Sequence, residues 1–323
     1  MQYGQIPGLD KPVSRIVLGT MIVTTNDLER SFALLDAAYA TGINAFDCAH
    51  IYGGGTTERA VGQWIRTRSL KDQVVVITKG CHHNADRKRV TPFDLAADLH
   101  DSLARLQMDS VDIYMLHRDD PAAPVGPIVE ALNEHRRAGR LRAFGGSNWR
   151  HERIAEANAY AARQGLVPFT VSSPNYGLAE QVQDPWGPGC VGLGGPANAA
   201  ARAWYEQTGL AVFAYSSLGR GLFSGRITRD NYAQAADGAC RTAYCHEVNF
   251  RRLDRVQELA RKKGVSVPQL ALAYALTAPM NVFALVGAAS REECQANVAA
   301  LDIPLTPAER AWLDLQTERL PGG

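Results

Sequence analysis

Short runs of apolar and β-branched residues recur along the chain, and helical spacing of apolar positions follows most of them. Most of the runs are nearly continuous in apolar character, which is typical of parallel strands that are covered on both faces. Eight such runs alternating with helical segments predict a parallel (β/α)8 barrel and not an open sheet. The predicted strands are Arg15–Leu18, Ala45–Ala49, Val74–Thr78, Val111–Leu116, Leu141–Gly145, Phe169–Ser172, Ala211–Tyr215 and Val282–Val286.

Polar residues mark where several helices should begin. Asp27 is the predicted N-cap of a helix over Leu28–Ala40. Thr91, with Asp94 three residues later, is similar to a capping box at the start of a helix that runs to Leu106. Further helices are predicted over Pro124–Ala138, Arg150–Arg163, Arg251–Lys263 and Arg291–Ala299.

Other segments lie outside this repeat. Gln2–Gly4 is predicted to form an extra strand at the bottom of the barrel. Val267–Thr277 should form a second helix before the last strand, and Leu305–Gln316 a C-terminal helix outside the barrel. We find no linker, and therefore expect one domain over residues 1–323.

A glycine- and proline-rich segment interrupts the alternation after the sixth predicted strand. Gln181–Asn198 contains three prolines and five glycines. Barrels place their active sites at the carboxyl ends of the strands, so this segment should be an irregular loop on that face. It is expected either to cover a substrate or to be a solvated insertion.

Composition narrows the class of protein. The chain has 323 residues, 46% of them hydrophobic and 21% charged, as in a globular protein with a full core. A formal net charge of +1 argues against a broad surface for nucleic acid or for an anionic membrane. Six scattered cysteines, no recognisable signal peptide and no long apolar span predict a reduced, cytoplasmic protein. The oligomeric state stays open.

Chemically useful side chains follow three consecutive predicted strands. Asp47 and Tyr52 follow the second strand, Lys79 follows the third and His117 the fourth. Because a barrel gathers its strand ends around one mouth, we expect these four residues to converge. A lysine at the end of a strand is usually a surface residue, so the joint occurrence carries the inference.

The four residues make sense as a proton-donating group. An isolated tyrosine has a pKa near ~10 and is a poor acid at neutral pH. The ammonium of Lys79, held by Asp47, is expected to lower the pKa of the Tyr52 phenol. His117 would hydrogen-bond and orient a substrate oxygen. Tyr52 would then protonate the alkoxide that forms when a carbonyl accepts hydride.

Longer motifs around these residues resemble one family. Phe46-Asp47-x-Ala49-x-x-Tyr52-Gly53, the Glu58 that follows, and Gly145-x-Ser147-Asn148 resemble the aldo-keto reductases, and the resemblance extends from Val17 to about Ala300. It implies reduction of an aldehyde or ketone to the alcohol with NADPH or NADH, with Tyr52 as the general acid. In that family's terms, the catalytic residues are Asp47, Tyr52, Lys79 and His117.

The resemblance also implies an extended nicotinamide cofactor that is bound without a Rossmann fold. No Gly-x-Gly-x-x-Gly follows the first strand, in agreement with this. Ser147 and Asn148 would bind the carboxamide, and Tyr215 would stack on the nicotinamide ring. Gly19, Thr20 and Met21 would lie near the nicotinamide ribose, and Ser173 near the carboxamide. Ser216, Leu218 and Gly219 would line the pyrophosphate. The remaining cofactor positions implied are Asp47 and Arg220, and Gly287, Ser290, Arg291, Glu293 and Asn297 at the adenosine half.

Two positions depart from the family pattern. Ser173 stands where a glutamine is common, and a water could bridge the shorter side chain to the carboxamide. Glu293 stands where NADPH-specific members usually have a basic residue. Its carboxylate would repel a 2′-phosphate and could accept a hydrogen bond from a ribose hydroxyl. Arg291, Arg220 or Arg226 could compensate, so NADP is favoured and NAD is the alternative.

The substrate is a small carbonyl compound or alcohol of unknown identity. Aromatic side chains favour an apolar substrate, whereas the histidines and Arg118 favour a sugar or another hydroxylated carbonyl. The candidate substrate contacts are His50, Tyr52, His82, His117, Arg118, Trp149 and Tyr176.

Two other functions remain open. A zinc-dependent hydrolase on the same barrel could use the cluster Cys48, His50, Cys81, His82 and His83, although the spacing is irregular and we expect no metal. Alternatively, the chain could be a cofactor-binding redox sensor or regulatory subunit with little turnover, as some relatives of the aldo-keto reductases are.

Overall fold

A closed barrel of eight parallel strands organises the computed structural model, which describes residues 1–320. Strands adjacent in the sequence are adjacent in the barrel, and the last strand pairs with the first to close it. Every predicted strand overlaps one of these eight, so the predicted (β/α)8 barrel is confirmed. The barrel strands are β3 (Ile16–Gly19), β4 (Ala45–Asp47), β5 (Val75–Gly80), β6 (Val111–Leu116), β7 (Leu141–Ser147), β8 (Val171–Ser173), β9 (Ala211–Ala214) and β10 (Val282–Val286).

The strand register aligns the residues that end the strands. Asp47 pairs with Gly19 on β3. Lys79 pairs with Met115 on β6, two residues before His117. Along β7 and β8, Ser147 pairs with Ser173. The strands are buried almost throughout, as their continuous apolar sequences require.

Helices follow the strands, and capping side chains fix several of their first residues. The Asp27 carboxylate accepts from the Arg30 amide, and the Thr91 hydroxyl accepts from the Asp94 amide, so both predicted N-caps are confirmed. The helices are α1 (Leu28–Ala40), α2 (Thr56–Arg68), α3 (Pro92–Leu106), α4 (Val125–Arg137), α5 (His151–Gln164), α6 (Ala199–Thr208), α7 (Tyr232–Ala235), α8 (Gly238–Ala243), α9 (Glu247–Lys263), α10 (Val267–Leu276), α11 (Arg291–Ala299) and α12 (Pro307–Leu313).

Four helices, α2, α6, α7 and α8, were not predicted from the sequence. Helix α2 begins directly after three glycines with positive φ, and its N-cap, Gly55, provides no capping side chain. Its buried face includes Thr57 and Glu58, so polar residues interrupt the apolar spacing that would indicate a helix. In α6 only Tyr205 is buried, which leaves no apolar stripe to recognise.

The two ends of the chain form elements outside the barrel. The predicted N-terminal strand is β1 (Tyr3–Gly4), which pairs antiparallel with β2 (Val13–Ser14). At the other end, a capping box between Thr306 and Glu309 starts α12, which is shorter than predicted. No helix in residues 1–320 is long and apolar enough to cross a membrane.

The internal contacts divide the chain into two compact units. The first comprises residues 1–173 and 287–294, and the second begins with residues 174–286 and includes the chain from residue 295. The first unit contains β1 to β8 with α1 to α5 and the start of α11. The second contains β9, β10, α6 to α10, the rest of α11 and α12. A single domain over 1–323 stays a prediction.

Candidate active site at the carboxyl ends of the strands

A buried ion pair joins the ends of β4 and β5. The Lys79 ammonium donates to both carboxylate oxygens of Asp47, at 2.6 and 2.7 Å, and to the Cys48 carbonyl at 3.1 Å. Both side chains are 3% exposed. Burial lowers the pKa of the Lys79 ammonium, but Asp47 and the other nearby acidic groups outweigh this and raise it. Lys79 is therefore a charged donor held in one position.

Tyr52 lies beside this pair, in the turn that follows β4. The Lys79 nitrogen is 5.3 Å from the centre of the Tyr52 ring, and the His117 ring is 5.8 Å from it, edge to face. Burial raises the pKa of the Tyr52 phenol, and the charge and hydrogen bond of Lys79 offset only part of this rise. The expected contribution of Lys79 has the right sign, but the net shift is opposite to the predicted one. The sequence did not show how strongly the phenol is desolvated.

His117 is held as a neutral imidazole. Burial, and next the charge of Lys79, lower its pKa well below the ordinary value. Its Nδ1 atom is buried and has no hydrogen-bond partner among the described residues. The His82 ring packs edge to face against it at 4.9 Å. A neutral imidazole can donate one hydrogen bond to a substrate oxygen without carrying charge.

The turn after β5 places His82 next to His117. Gly80, the last residue of β5, allows the Tyr114 hydroxyl to lie close to the strand, because a Cβ at this position would be 2.0 Å from the hydroxyl oxygen. Cys81 follows with φ of 59°, and its amide donates to the buried Asp98 carboxylate at 2.8 Å. Arg89 donates to the same carboxylate at 2.5 and 3.0 Å. Asp98 was not predicted as a site residue, although the Asp94–Asp98 spacing on one helix face was a possible signal.

Glu58 supports the segment that leads to Tyr52. It is fully buried, accepts from the Thr78 hydroxyl at 2.6 Å and pairs with Arg105 at 3.2 Å. Arg105 also donates to the His50 carbonyl at 2.7 Å. The backbone two positions before Tyr52 is thus fixed to α3 through Arg105, which pairs with the buried Glu58 carboxylate.

Several predicted cofactor residues meet at the ends of β7 and β8. The Ser147 hydroxyl donates to the Ser173 carbonyl at 3.0 Å, and the Asn148 amide nitrogen donates to the His117 carbonyl at 3.3 Å. The Ser173 hydroxyl is buried and has no partner among the described residues. An unpaired buried hydroxyl beside a Ser-Asn pair fits a carboxamide, which both donates and accepts hydrogen bonds.

The residues after β3 differ from one another in exposure. Gly19 ends the strand opposite Asp47. The Thr20 hydroxyl is buried and donates to the Asp47 carbonyl at 2.8 Å, so it holds the backbone of the ion pair. Met21 is 60% exposed and remains accessible to a ligand.

Glu293 has a structural partner at the start of α11. Its carboxylate accepts from the Ala289 amide at 2.8 Å, while its own amide donates to the Ser290 hydroxyl at 3.3 Å. This reciprocal pairing resembles a capping box and explains a carboxylate at this position without a ribose contact. Arg291 and Gly287 are exposed beside it.

In the second unit, Trp186 lies near two predicted cofactor residues, Tyr215 and Arg220. The Trp186 ring lies 6.0 Å from the Tyr215 ring, and the Arg220 guanidinium lies 5.3 Å from the centre of the Trp186 ring. Arg220 also pairs with Asp237 at 2.9 and 3.0 Å. The glycine- and proline-rich loop that carries Trp186 therefore packs against the predicted stacking residue. The other predicted positions here are Ser216 and Leu218, which are half-buried, and Gly219 and Asn297, which are buried.

The candidate substrate residues are distributed unevenly. His82 adjoins His117, and the charge of Arg118 contributes to the lowered pKa of both imidazoles, after burial as the main cause. His50 turns its ring to Asp101 at 3.2 Å. Trp149 is fully buried and donates to the Arg118 carbonyl. In the second unit, Tyr176 is buried against Tyr274, and Arg310 donates to its hydroxyl. Burial and these hydrogen bonds account for Trp149 and Tyr176 without a substrate contact.

The residues that suggested a zinc site each have a different partner. The Cys48 sulfur accepts a hydrogen bond from the Thr20 hydroxyl, and His50 faces Asp101. The His82 Nδ1 atom is hydrogen-bonded to the His83 carbonyl. Within residues 1–320, no three histidine, cysteine, aspartate or glutamate side chains are grouped so that they could hold a metal ion. The geometry therefore gives this alternative no support.

Comparison with known proteins identifies the family. The model of the Aldo/keto reductase family matches residues 15–315. The aryl-alcohol dehydrogenase [NADP(+)] of Phanerodontia chrysosporium is 28% identical over 333 residues, which cover 95% of this chain and 83% of that protein. A probable voltage-gated potassium channel subunit beta of Oryza sativa subsp. japonica is 28% identical over 324 residues, 96% of this chain and 94% of that protein.

A solved structure shares the fold. The glycerol dehydrogenase from Gluconobacter oxydans superposes with a TM-score of 0.77 at 24% identity, over 99% of this chain and 96% of that one. The family match extends over all eight barrel strands, including every strand end described above. The chain belongs to the aldo/keto reductase family and is an oxidoreductase.

Proposed function

We propose that this protein reduces an aldehyde or ketone to the alcohol, with NADPH as the preferred reductant and Tyr52 as the proton donor. The observation that carries the proposal is the buried Lys79–Asp47 ion pair, with Lys79 5.3 Å and the neutral His117 ring 5.8 Å from the centre of the Tyr52 ring. A fixed cation beside a phenol stabilises the negative charge that the phenol acquires as it releases its proton.

Each residue of the site has a distinct task in this reaction. The nicotinamide cofactor supplies hydride to the carbonyl carbon when it is bound. His117 donates a hydrogen bond to the carbonyl oxygen and orients it towards the Tyr52 hydroxyl. Tyr52 gives its proton to that oxygen as negative charge develops, and Lys79 stabilises the phenolate that remains. In the reverse direction the Tyr52 phenolate accepts the proton of the alcohol.

The side chains present suit a nicotinamide cofactor. The unpaired Ser173 hydroxyl, with Ser147 and Asn148 nearby, would bind the carboxamide. Tyr215 would stack on the ring. NADPH is favoured because a relative over nearly the whole chain is named for NADP(+), and because Glu293 already has the Ala289 amide as a partner.

A small organic carbonyl compound is the proposed substrate. His82 next to His117 offers a polar contact, whereas Met21 offers an exposed apolar one. The similarity to an enzyme named as an aryl-alcohol dehydrogenase makes aromatic aldehydes the first compounds to test. Hydroxylated aldehydes and keto-sugars are the second group.

A panel of aromatic aldehydes, ketones and keto-sugars, each with NADPH and with NADH, tests the proposal. We expect consumption of reduced cofactor with at least one aldehyde and a higher kcat/KM with NADPH. Formation of the matching alcohol, measured by chromatography, would show that the cofactor is used for carbonyl reduction. Absence of turnover across the panel, despite tight cofactor binding, would contradict the proposal.

That result would instead favour a regulatory, cofactor-binding role. This second candidate is supported by the similarity to a probable potassium channel beta subunit over 96% of this chain. The two functions differ in one measurable ratio, the rate of chemistry relative to the rate of cofactor release. A single-turnover experiment with bound NADPH and excess aldehyde measures the rate of chemistry, and displacement of the bound cofactor by an excess of free cofactor measures the rate of release.

A further inference from the structure

Two cysteines of the second unit lie in contact, and neither is among the residues proposed for catalysis. The sulfur atoms of Cys240 and Cys245 are 3.8 Å apart. Cys240 is on α8 and Cys245 lies just beyond its end, where its amide donates to the Cys240 carbonyl at 3.2 Å. One tight turn of backbone therefore holds both thiols side by side. Cys240 is fully buried and Cys245 is 8% exposed, so Cys245 is the accessible member.

The pair is connected to the segment that carries predicted cofactor residues. The Cys240 thiol donates to the Gly219 carbonyl at 3.6 Å. The Cys240 amide donates to the Asp237 carboxylate at 2.7 Å, and the same carboxylate pairs with Arg220. Two independent links thus tie the start of α8 to the backbone and side chain of residues 219 and 220.

We propose that Cys240 and Cys245 are a peroxide-sensitive dithiol, whose oxidation to an intramolecular disulfide weakens cofactor binding through the Gly219–Arg220 segment. The disulfide follows from the contact between the two sulfur atoms alone. Its effect on the cofactor rests on the proposed function and on the place beside the pyrophosphate that the family resemblance implies for Gly219.

The chemistry needs only a peroxide as oxidant. The Cys245 thiolate attacks one peroxide oxygen, the O–O bond breaks, and hydroxide leaves with the electron pair, which leaves Cys245 as a sulfenic acid. The Cys240 sulfur then attacks the Cys245 sulfur, the S–S bond forms, the S–OH bond breaks, and the released hydroxide takes the Cys240 proton. Overall, the thiols lose two electrons and two protons, and hydrogen peroxide becomes two molecules of water.

The geometry requires a modest local movement. The sulfur atoms must approach from 3.8 Å to a bond length of about 2.05 Å. Burial raises the pKa of Cys245, and it raises that of Cys240 to about 12, so the reactive thiolates are scarce at neutral pH. Oxidation should consequently be slow at pH 7 and faster at pH 9.

Oxidation would remove one of the two links to the cofactor segment. A disulfide sulfur has no hydrogen, so the Gly219 carbonyl would lose its thiol donor. A net hydrogen bond contributes about 0.5–1.5 kcal/mol, and the Cys240 thiol is a weak donor. This predicts a rise of about twofold to tenfold in the Kd for NADPH. Reduction with dithiothreitol should restore the original Kd.

Treatment of the full chain with hydrogen peroxide tests both the formation of the disulfide and its effect on cofactor binding. Peptide mapping should find Cys240 and Cys245 linked, with the loss of two hydrogens, and fluorescence titration should give the weaker binding of NADPH. Cys245→Ser should abolish the link and the change in Kd. The matched control, Cys294→Ser, removes a buried cysteine elsewhere and should retain both.

The possible failures are distinguishable. A sulfenic acid trapped on Cys245 with no link to Cys240, or a link to Cys190, would overturn the dithiol. A complete link with an unchanged Kd would overturn the coupling to the cofactor segment. If the reduced protein binds neither NADPH nor NADH, the proposed function fails, and the disulfide mapping still decides whether the dithiol exists.

Discussion

The turn after β5 and the segment after β9 both carry predicted site residues, but they are stabilised differently. After β5, Cys81 with positive φ is held by Asp98, a carboxylate that is 3% exposed and paired with Arg89. After β9, Arg220 has positive φ and pairs with Asp237, which is 53% exposed. Buried ion pairs resist displacement, whereas exposed ones contribute little.

This difference matches what each region is proposed to do. Proton transfer requires donors at fixed positions, and the Lys79–Asp47 pair provides such a position. A segment that binds and releases a cofactor in every cycle must move. Its Arg220 contacts the Trp186 ring and the exposed Asp237 carboxylate, and such contacts can be broken at low cost. We therefore expect substitutions after β4 and β5 to change catalysis, and those after β9 to change cofactor binding.

The largest effect is expected from Lys79→Met. Turnover should fall by about 10²–10⁴-fold, because the developing phenolate loses its cation. The free energy of unfolding should fall by about 3–5 kcal/mol, because the Asp47 carboxylate is left buried and unpaired. Steady-state kinetics and urea denaturation measure the two losses.

A double variant separates these causes. Lys79→Met with Asp47→Leu should recover most of the stability but none of the turnover, because it removes the unpaired charge without restoring a cation. A Lys79→Met protein with wild-type turnover would contradict the role of the ion pair.

A smaller effect is expected in the other region, from Tyr215→Leu. Loss of ring stacking should raise the Kd for NADPH by about twofold to tenfold, equivalent to about 0.5–1.5 kcal/mol. With cofactor at saturation, kcat should change far less than it does in Lys79→Met. Fluorescence titration and saturation kinetics give both values. A fall in kcat as large as that of Lys79→Met would contradict the proposal that the segment after β9 acts in cofactor binding and not in catalysis.

Glu293→Gln tests the cofactor preference at a third place. The amide oxygen can still accept from Ala289, so the start of α11 should be retained. Loss of one exposed negative charge near a 2′-phosphate is worth about 1 kcal/mol, so the NADPH/NADH ratio of kcat/KM should rise about fivefold. The matched control is Glu292→Gln, which removes an adjacent exposed charge. Equal ratios in both variants would place Glu293 out of reach of the phosphate.

The smallest effect is the response of stability to mild acid. Burial is the main cause of the lowered pKa of His82, His83 and His117 in the folded protein. Below the ordinary histidine pKa of about 6.5, the unfolded chain therefore binds protons that the folded chain does not. The free energy of unfolding consequently decreases as the pH is lowered. Urea denaturation at several pH values should show this slope. His117→Asn should reduce it, and an unchanged slope would exclude a buried neutral His117.

Much of the barrel could be predicted because its signals are local. Continuous apolar runs indicated all eight strands, and Asp27 and Thr91 correctly marked the starts of α1 and α3. Helix α2 was missed because its buried face includes the charged side chain of Glu58. The reason for that charge is Arg105, which lies 47 residues later and pairs with it only in the folded chain.

In the candidate site, the positions of the residues could be predicted, but their surroundings could not. The order of the strands brought Asp47, Tyr52, Lys79 and His117 into one neighbourhood, and the structure places them there. The pKa of Tyr52 could not be predicted, because it depends on how completely neighbouring side chains exclude water. The partner of Glu293 was also hidden, since the same carboxylate could accept from a ribose or from its own backbone.

The central claim is that Tyr52 donates the proton, and comparison of Tyr52→Phe with Tyr160→Phe tests it most directly. Tyr160 is on α5, and its hydroxyl donates a hydrogen bond to the Glu130 carboxylate, which is not a site residue. Single-turnover reduction of an aldehyde with saturating NADPH should be slower by about 10²–10⁴-fold in Tyr52→Phe, with the Kd for NADPH unchanged. Tyr160→Phe should match the wild type. A wild-type rate in Tyr52→Phe would contradict the account.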